Sequence, residues 1–457
     1  MKVKSILFGS IILLICISNG FGQEAMGLKT GGYNGINSTR LNPAFAFKSK
    51  NKWDIQLAGA HAFFQTDYGH IHNSNLFKTL SNLDSITELN YPVDDIVMAE
   101  DLDVVYKIGA SASHVDVHAE FLGPGFLFNV NPDLKVGMSY ALRAYGSMHD
   151  IPSIFNYYSI NNTFIDSTYT SEKINSVAAR WHEVSFHVSK KIDKIVFGAQ
   201  VKYLLGWGMG HFSVDNNFSF NSPTEASVTA ASTGQFNVAS IGWNESDRMQ
   251  GTGIGIDIGI NIDDFLMEGS QLGVSILDIG SISSAGQNIT YGFDLQDSLV
   301  RDNYLDIRDD ITLINQLNND FEVIEDSGSL TAGLPLALSI QYKYQINEKF
   351  SFESALTQRI KLSKTMLSRP NSFYVGGVYE NKYFSAYLPV TVYDYKSIRP
   401  GLALRALFFT IGSDDLLSLF GKNDFNGTDL YVNLSFYPFW NGKDKTKNLK
   451  EGCDYGF

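Results

Sequence analysis

Residues 334–346 read LPLALSIQYKYQI, a run whose side chains alternate in character. Leu334, Leu336, Leu338, Ile340, Tyr342, Tyr344 and Ile346 share an apolar and aromatic face; Ala337, Ser339, Gln341, Lys343 and Gln345 share the other. Alternation at period two marks a strand, because successive side chains point to opposite faces of a sheet. The run is longer than the usual soluble strand of about 5–6 residues. An apolar face ending in tyrosines, backed by a polar face with a lysine, fits lipid on one side and a wet lumen on the other. On this reading Leu336, Leu338 and Ile340 face lipid, and Ser339, Gln341 and Lys343 face the lumen.

The chain opens with Lys2 and Lys4, an apolar stretch over residues 6–17 and a small-residue exit at residues 19–22. That is the pattern of a secretory signal peptide cleaved after Gly22. Cys16 leaves with it, so Cys453 stands alone and no internal disulfide can form. The mature part has no apolar run of about 18 residues, which argues against helical spans. Removing Lys2 and Lys4 leaves 33 basic against 48 acidic residues, a net charge near −15. Nucleic acid is excluded as a partner, since phosphate binding needs a basic face. Charged residues are 18% of the chain, below the roughly 25% of ordinary soluble proteins, while aromatics reach 13%.

The same alternation recurs along the chain. Strands are predicted at residues 53–64, 114–130, 134–148, 182–189, 195–207, 251–262, 271–282, 334–346, 350–360, 372–380, 383–393, 402–412 and 428–440, with weaker stretches at 212–220 and 226–241. Gly123-Pro124-Gly125 marks a kink in the second of them. Short helices are expected near residues 76–83 and 414–421. Tight turns at 131–133, 190–194, 347–349 and 381–382 alternate with long polar loops at 65–113, 149–180 and 283–333. Short periplasmic turns, long external loops and an even strand number characterise single-chain outer-membrane barrels. The expected fold is therefore all-β: a transmembrane antiparallel β-barrel of about 14 strands. Residues 1–22 form the signal peptide, 23–51 an N-terminal segment, 52–440 the barrel and 441–457 a periplasmic C-terminal tail. Trp53, Trp181, Trp207, Tyr379, Tyr383, Phe439 and Trp440 read as interfacial girdles. Lys202, Lys343, Arg143 and Arg405 read as lumen-facing.

Five motifs taken together carry a resemblance over nearly the whole chain: RLNPAF (40–45), LDIGSI (277–282), LPLALSIQYKY (334–344), RPGLALR (399–405) with GSDDLLSLFG (412–421), and GTDLYVNLSFYPF (427–439). The set resembles a Bacteroidota family of outer-membrane barrels of unknown function. That family is similar in turn to fatty-acid-transporter-like barrels and to the PorV-type barrels of the type IX secretion system. In those relatives an Asn-Pro-Ala segment folds into the lumen as a hatch. The resemblance implies such a hatch or gate here, at Arg40, Asn42, Pro43 and Ala44, and a place in the bacterial outer membrane. It supplies no substrate.

His114, Asp116, His118 and Glu120 project to one face of a strand at spacing two, and Glu183 and His187 lie on a nearby strand. Histidine and carboxylate donors can hold a zinc-like ion. Like-facing residues sit about 6–7 Å apart along a strand, however, and barrel interiors are ordinarily polar. These six, with Gln341 and Lys343, are therefore read as lumen-lining; no metal site is assigned, and His114 and His118 stand only as low-probability candidates for one. His70 and His72 read as solvated loop residues. No G-x-S-x-G or H-E-x-x-H motif is present, no enzyme is indicated and no cofactor is required. Two functions remain. In the first, a porin-like barrel passes or binds a small solute, hydrophobic ones included, through a hatch-occluded lumen. In the alternative it is a non-transporting docking or assembly component of an outer-membrane secretion or surface complex. The partners implied are the lipid bilayer with its lipopolysaccharide, a small-molecule solute, and other outer-membrane or periplasmic proteins.

Overall fold

The computed structural model describes residues 25–49, 51–83, 87–88, 102–106, 113–151, 168–171, 174–214, 218–224, 227–229, 232–241, 251–295, 315, 318–319, 322–393, 397–421 and 423–438. The predicted signal peptide and the C-terminal tail with Cys453 lie outside them.

Antiparallel strands close into a barrel of fourteen positions. They are β1 (Trp53–Thr66), β2 (Ser113–Asn131), β3 (Leu134–Ile151), β4 (Asn175–Ile192), β5 (Ile195–Val214), β6 (Ser232–Ile241 and Gly251–Asp263), β7 (Ser270–Leu295), β8 (Glu322–Gly333 and Ala337–Gln345), β9 (Phe350–Arg359), β10 (Ser372–Glu380), β11 (Phe384–Tyr393), β12 (Ser397–Pro400 and Leu402–Ala406), β13 (Phe409–Ser413) and β14 (Gly427–Phe436). Each strand pairs with the next, and β14 returns to β1 with Tyr431 opposite His61. Seventeen segments fill fourteen positions because β6, β8 and β12 are each built of two. Long strands follow from the sequence: β2 to β5 run 18 to 20 residues, beyond the roughly 9–11 that cross a bilayer.

Polarity is inverted relative to a soluble protein. On β2, Val117 and Phe121 are exposed while His118 and Glu120 are buried. On β5, Phe197, Val201 and Tyr203 point out while Gln200 and Lys202 point in, and on β6 Ile254, Ile256 and Ile258 flank an inward Asp257. Lys343, Arg143 and Arg405 are likewise buried in the interior. The long-loop end carries two small sheets. One joins Gly69–Ser74, Asp103–Tyr106, Thr87–Glu88 and Asn423–Phe425; the other joins Thr168–Ser171, Phe218–Thr224 and Ser227–Thr229.

Several sequence expectations are corrected. The strand expected at 334–346 begins at Ala337. Pro335 has no N–H for the ladder, and Leu334 turns inward into a cluster with Trp181, Leu204 and Ile282. Leu334 and Leu336 are buried rather than lipid-facing. Leu338 and Ile340 keep the outer face, and Ser339, Gln341 and Lys343 the inner one. The single strand expected at 402–412 is a hairpin, β12–β13, turning at Leu407 with φ 54°. Its turn was hidden because apolar Leu407-Phe408 stands where Asn-Gly or Asp-Gly usually marks one. Strand β4 starts at Asn175, inside the loop expected at 149–180. Trp181 is no girdle residue: it is fully buried and stacks on Tyr145 with centroids 5.6 Å apart. Trp53 and Tyr383 are exposed, and Phe439 and Trp440 lie outside the described residues. The short helices form at Leu76–Ser81 and Leu416–Phe420.

Val201→Arg puts a charge on the outer face, where it costs about 2–4 kcal/mol near the bilayer centre. We expect a lower guanidinium midpoint for unfolding from lipid vesicles. An unchanged midpoint contradicts the outward assignment of β5.

Candidate functional site

Residues 25–49 lie inside the barrel as three short helical turns, Met26–Lys29, Gly35–Arg40 and Pro43–Lys48. Local chemistry sets the shape. Asn42 caps the third turn by accepting the Ala44 N–H at 2.9 Å, and Pro43 follows at the first helical position, where a missing N–H costs nothing. The backbone passes through positive φ at Gly31 and Gly35, which glycine tolerates.

The barrel wall is shaped to receive this segment. A Cβ on Gly198 of β5 would meet the Pro43 carbonyl carbon at 2.2 Å, and one on Gly259 of β6 would meet Asn42 Oδ1 at 2.1 Å. With Gly273 of β7, whose Cβ would meet Asn42 Nδ2 at 2.9 Å, these glycines form a cradle for Asn42-Pro43. Asn42 Nδ2 donates to the Ile260 carbonyl at 3.1 Å and to Gln341 Oε1 at 2.9 Å. Ser189 donates to the Pro43 carbonyl at 2.8 Å, and Ser275 to that of Leu41 at 2.7 Å. Nearer the N-terminus, Asp414 accepts the Met26 N–H at 2.8 Å, Glu353 that of Gly31 at 3.2 Å and Glu380 that of Gly32 at 2.9 Å. Burial, opposed by Glu353, lowers the Lys48 ammonium to about 8 from its usual 10.5. Between those values the undocked segment holds a proton that the docked one has lost, so docking is favoured as pH rises through that window.

Beside the cradle lies a buried charge network. Asp278 on β7 accepts from Arg143 Nη1 at 3.0 Å, from Lys202 at 2.6 Å and from Arg369. Its own φ is 58°, and its N–H donates to Asp257 at 2.6 Å. Lys202 also meets Asp257 at 2.7 Å, and Arg143 meets Glu183 at 2.9 Å. Arg40, from the N-terminal segment, pairs with Glu120 and lies 3.8 Å from Glu183. Burial would lower the Arg40 guanidinium, but Glu120 and then Glu183 raise it above its ordinary value. Four cations thus meet four carboxylates, which is what a desolvated cluster needs.

The sequence candidates fall into separate environments. His114 pairs with Asp67 at 3.0 Å, and Asp116 with His149 at 3.2 Å. His187 lies 2.8 Å from Ser189 Oγ, and Lys343 meets Glu353 at 2.7 Å. His114 and His118 do not share a site: His118 faces His61, with rings 5.1 Å apart, and joins it and Glu120 in a cluster of metal-ligating type. His70 and His72 stay partly exposed on the strand Gly69–Ser74 and are gathered with Asp424 at 3.4 and 2.9 Å. Sequence reasoning missed His61, Asp257, Asp278 and Arg369. Asp278 does stand in the LDIGSI motif, and an aspartate amid an otherwise apolar strand end was a legible signal.

The model of a family of unknown function, DUF5723, matches residues 43–414. No curated protein matches the chain. Among solved structures, a deltaS2S3 mutant of the monoaromatic hydrocarbon channel TodX covers 92% of this chain and 97% of its own at 12% identity and a TM-score of 0.44. The toluene transporter TbuX of Ralstonia pickettii covers 92% and 98% at 10% identity and a TM-score of 0.43. A FadL homologue of Pseudomonas aeruginosa covers 91% and 98% at 12% identity and a TM-score of 0.41.

Asp278→Ala leaves Arg143, Lys202 and Arg369 short of a carboxylate and should destabilise the barrel by about 3–5 kcal/mol in equilibrium unfolding; a loss under 1 kcal/mol contradicts the network's role. Gly259→Ala should expel Asn42, exposing residues 25–49 to added protease while the barrel resists digestion. Protection equal to that of the unaltered chain contradicts the cradle.

Proposed function

The chain belongs to the DUF5723 family of unknown function, and from its own geometry we propose that it is an outer-membrane channel for a small solute, closed by residues 25–49 acting as a hatch. The observation that carries this reading is the seat of Asn42-Pro43 against Gly198, Gly259 and Gly273. A segment that needs side-chain-free positions on three neighbouring strands fits its barrel closely, and it fills the path a solute would take. The exposed Val, Ile and Phe of the outer wall support a lipid setting, because such a band facing water is strongly disfavoured.

In this reading Arg40, Asn42, Pro43 and Ala44 form the gate. Arg40 is the latch: withdrawing it breaks its pairs with Glu120 and Glu183 and leaves those buried carboxylates one cation short. Asn42 and Pro43 are the seat, held through backbone carbonyls and Gln341. The space beside the hatch is lined by Lys29, Arg40, Glu120, Arg143 and Lys202 among others. The similar structures are a monoaromatic hydrocarbon channel and a toluene transporter. This charged lining favours a polar or amphipathic solute over a bare hydrocarbon, which cannot repay the desolvation of charges.

Arg40→Ala combined with Asn42→Ala removes the latch and the main side-chain contact of the seat. Uptake of small sugars and amino acids into proteoliposomes should rise at least about tenfold, since a broken buried pair is worth more than one decade in an equilibrium. Equal flux, or none, in both proteins contradicts a hatch-closed channel.

A further inference from the structure

His61 on β1 sits directly opposite Glu120 on β2, and His118 precedes Glu120 by two residues on the same inward face. The closed sheet therefore brings two imidazoles and a carboxylate together from two strands. One ligand atom from each lies within 4.8 Å of the others. His61 is 3% exposed and His118 4%, and none of their four ring nitrogens has a hydrogen-bond partner among the described residues. A buried polar group left unsatisfied costs about 1–3 kcal/mol, so the one nitrogen that each ring offers to the cluster with Glu120 needs an occupant.

The surroundings suit a metal. Asp429 Oδ1 lies 3.3 Å from His61 Nε2, and a carboxylate behind an imidazole orients the ring and leaves its other nitrogen for a ligand. The His118 ring is held against Tyr145, with centroids 4.0 Å apart. We propose that His61, His118 and Glu120 bind one divalent transition-metal ion of the zinc type inside the barrel. Two histidines and a carboxylate are an established zinc donor set that leaves a fourth position open. Bond lengths of about 2.0–2.2 Å draw the three ligand atoms closer than they now stand, within reach of side-chain rotation. Glu120 is also claimed by Arg40 and, at 3.5 Å, by Arg143. The ion therefore shares its carboxylate with the guanidinium of the hatch, and removing that competing cation strengthens binding. The site does not rest on the transport reading: a barrel that conducts nothing would bind zinc all the same.

The test is zinc and cobalt binding to the full-length protein, purified in detergent and stripped with a chelator. Calorimetry should give one strong zinc site, and cobalt should show the intense visible absorption of a low-symmetry four-coordinate ion. His61→Ala and His118→Ala should each weaken zinc at least about tenfold, the loss that removing even an outer-shell partner brings, while Arg40→Gln should tighten it several-fold. A His70→Ala/His72→Ala double variant removes the exposed cluster with Asp424 and should leave the strong site intact. Heat-modifiable migration in electrophoresis reports whether each barrel is folded; His61→Gln and His118→Gln, which keep volume and polarity, replace any alanine variant that is not. No zinc bound by the unaltered protein overturns the proposal, as does zinc that survives loss of both luminal histidines or disappears with His70 and His72.

Discussion

A sheet surrounded by lipid cannot leave an edge, because unpaired N–H and C=O groups have no water to turn to. Every other feature of this chain answers to that constraint. β14 must return to β1, and it does so with Tyr431 opposite His61. Closure forces alternate side chains into a confined interior, and those must satisfy one another. The residues that alternate inward on β2, β4, β5, β6 and β7 are Glu120, Glu183, Lys202, Asp257 and Asp278; most pair with nearby strands along the wall, and Arg143 of β3 reaches across the interior to Asp278 of β7. The charge network is a consequence of the barrel, not its cause.

Asp278 shows how the interior overrides regular strand geometry. It takes a positive φ where β7 shifts register against β6, between Ile276 and Ile279, and β8 breaks opposite it at residues 334–336. The break lets Arg369 reach both the Pro335 carbonyl, at 2.8 Å, and Asp278. A buried carboxylate among three cations tolerates backbone strain of about 1–3 kcal/mol, because its removal leaves uncompensated charges that cost more. Arg40 brings the N-terminal segment into this balance. The N-terminal segment is thereby held by the same electrostatics that hold the wall, and displacing it disturbs both.

The fold was legible because lipid and lumen impose period two over long runs, a signal that tertiary packing reinforces. Thirteen strands read directly from the sequence and the even-number rule calls for a fourteenth, but its place was hidden: 402–412 is a hairpin whose apolar turn gives no local cue. Trp181 was misplaced for a related reason: alternation says which face a residue takes, but an aromatic on the inner face of a plugged barrel resembles one in a girdle. The site was harder still. His118 and Glu120 were visible as neighbours along one strand, but His61 reaches them only through the β1–β2 register, which no local pattern encodes. The RLNPAF motif marked the segment; the glycines that receive it, on three different strands, carried no mark of their own.

The account stands on residues 25–49 lying within the barrel, against its inner wall. Cysteines at Asn42 and Gln341, in a chain whose Cys453 is replaced by serine, test this in native outer-membrane vesicles with a short bis-maleimide. Asn42 Nδ2 lies 2.9 Å from Gln341 Oε1, so the account predicts a bridge between the two positions, read as one cross-linked peptide pair by mass spectrometry. Both cysteines modified singly, with no bridge in a barrel that remains heat-modifiable, would contradict it.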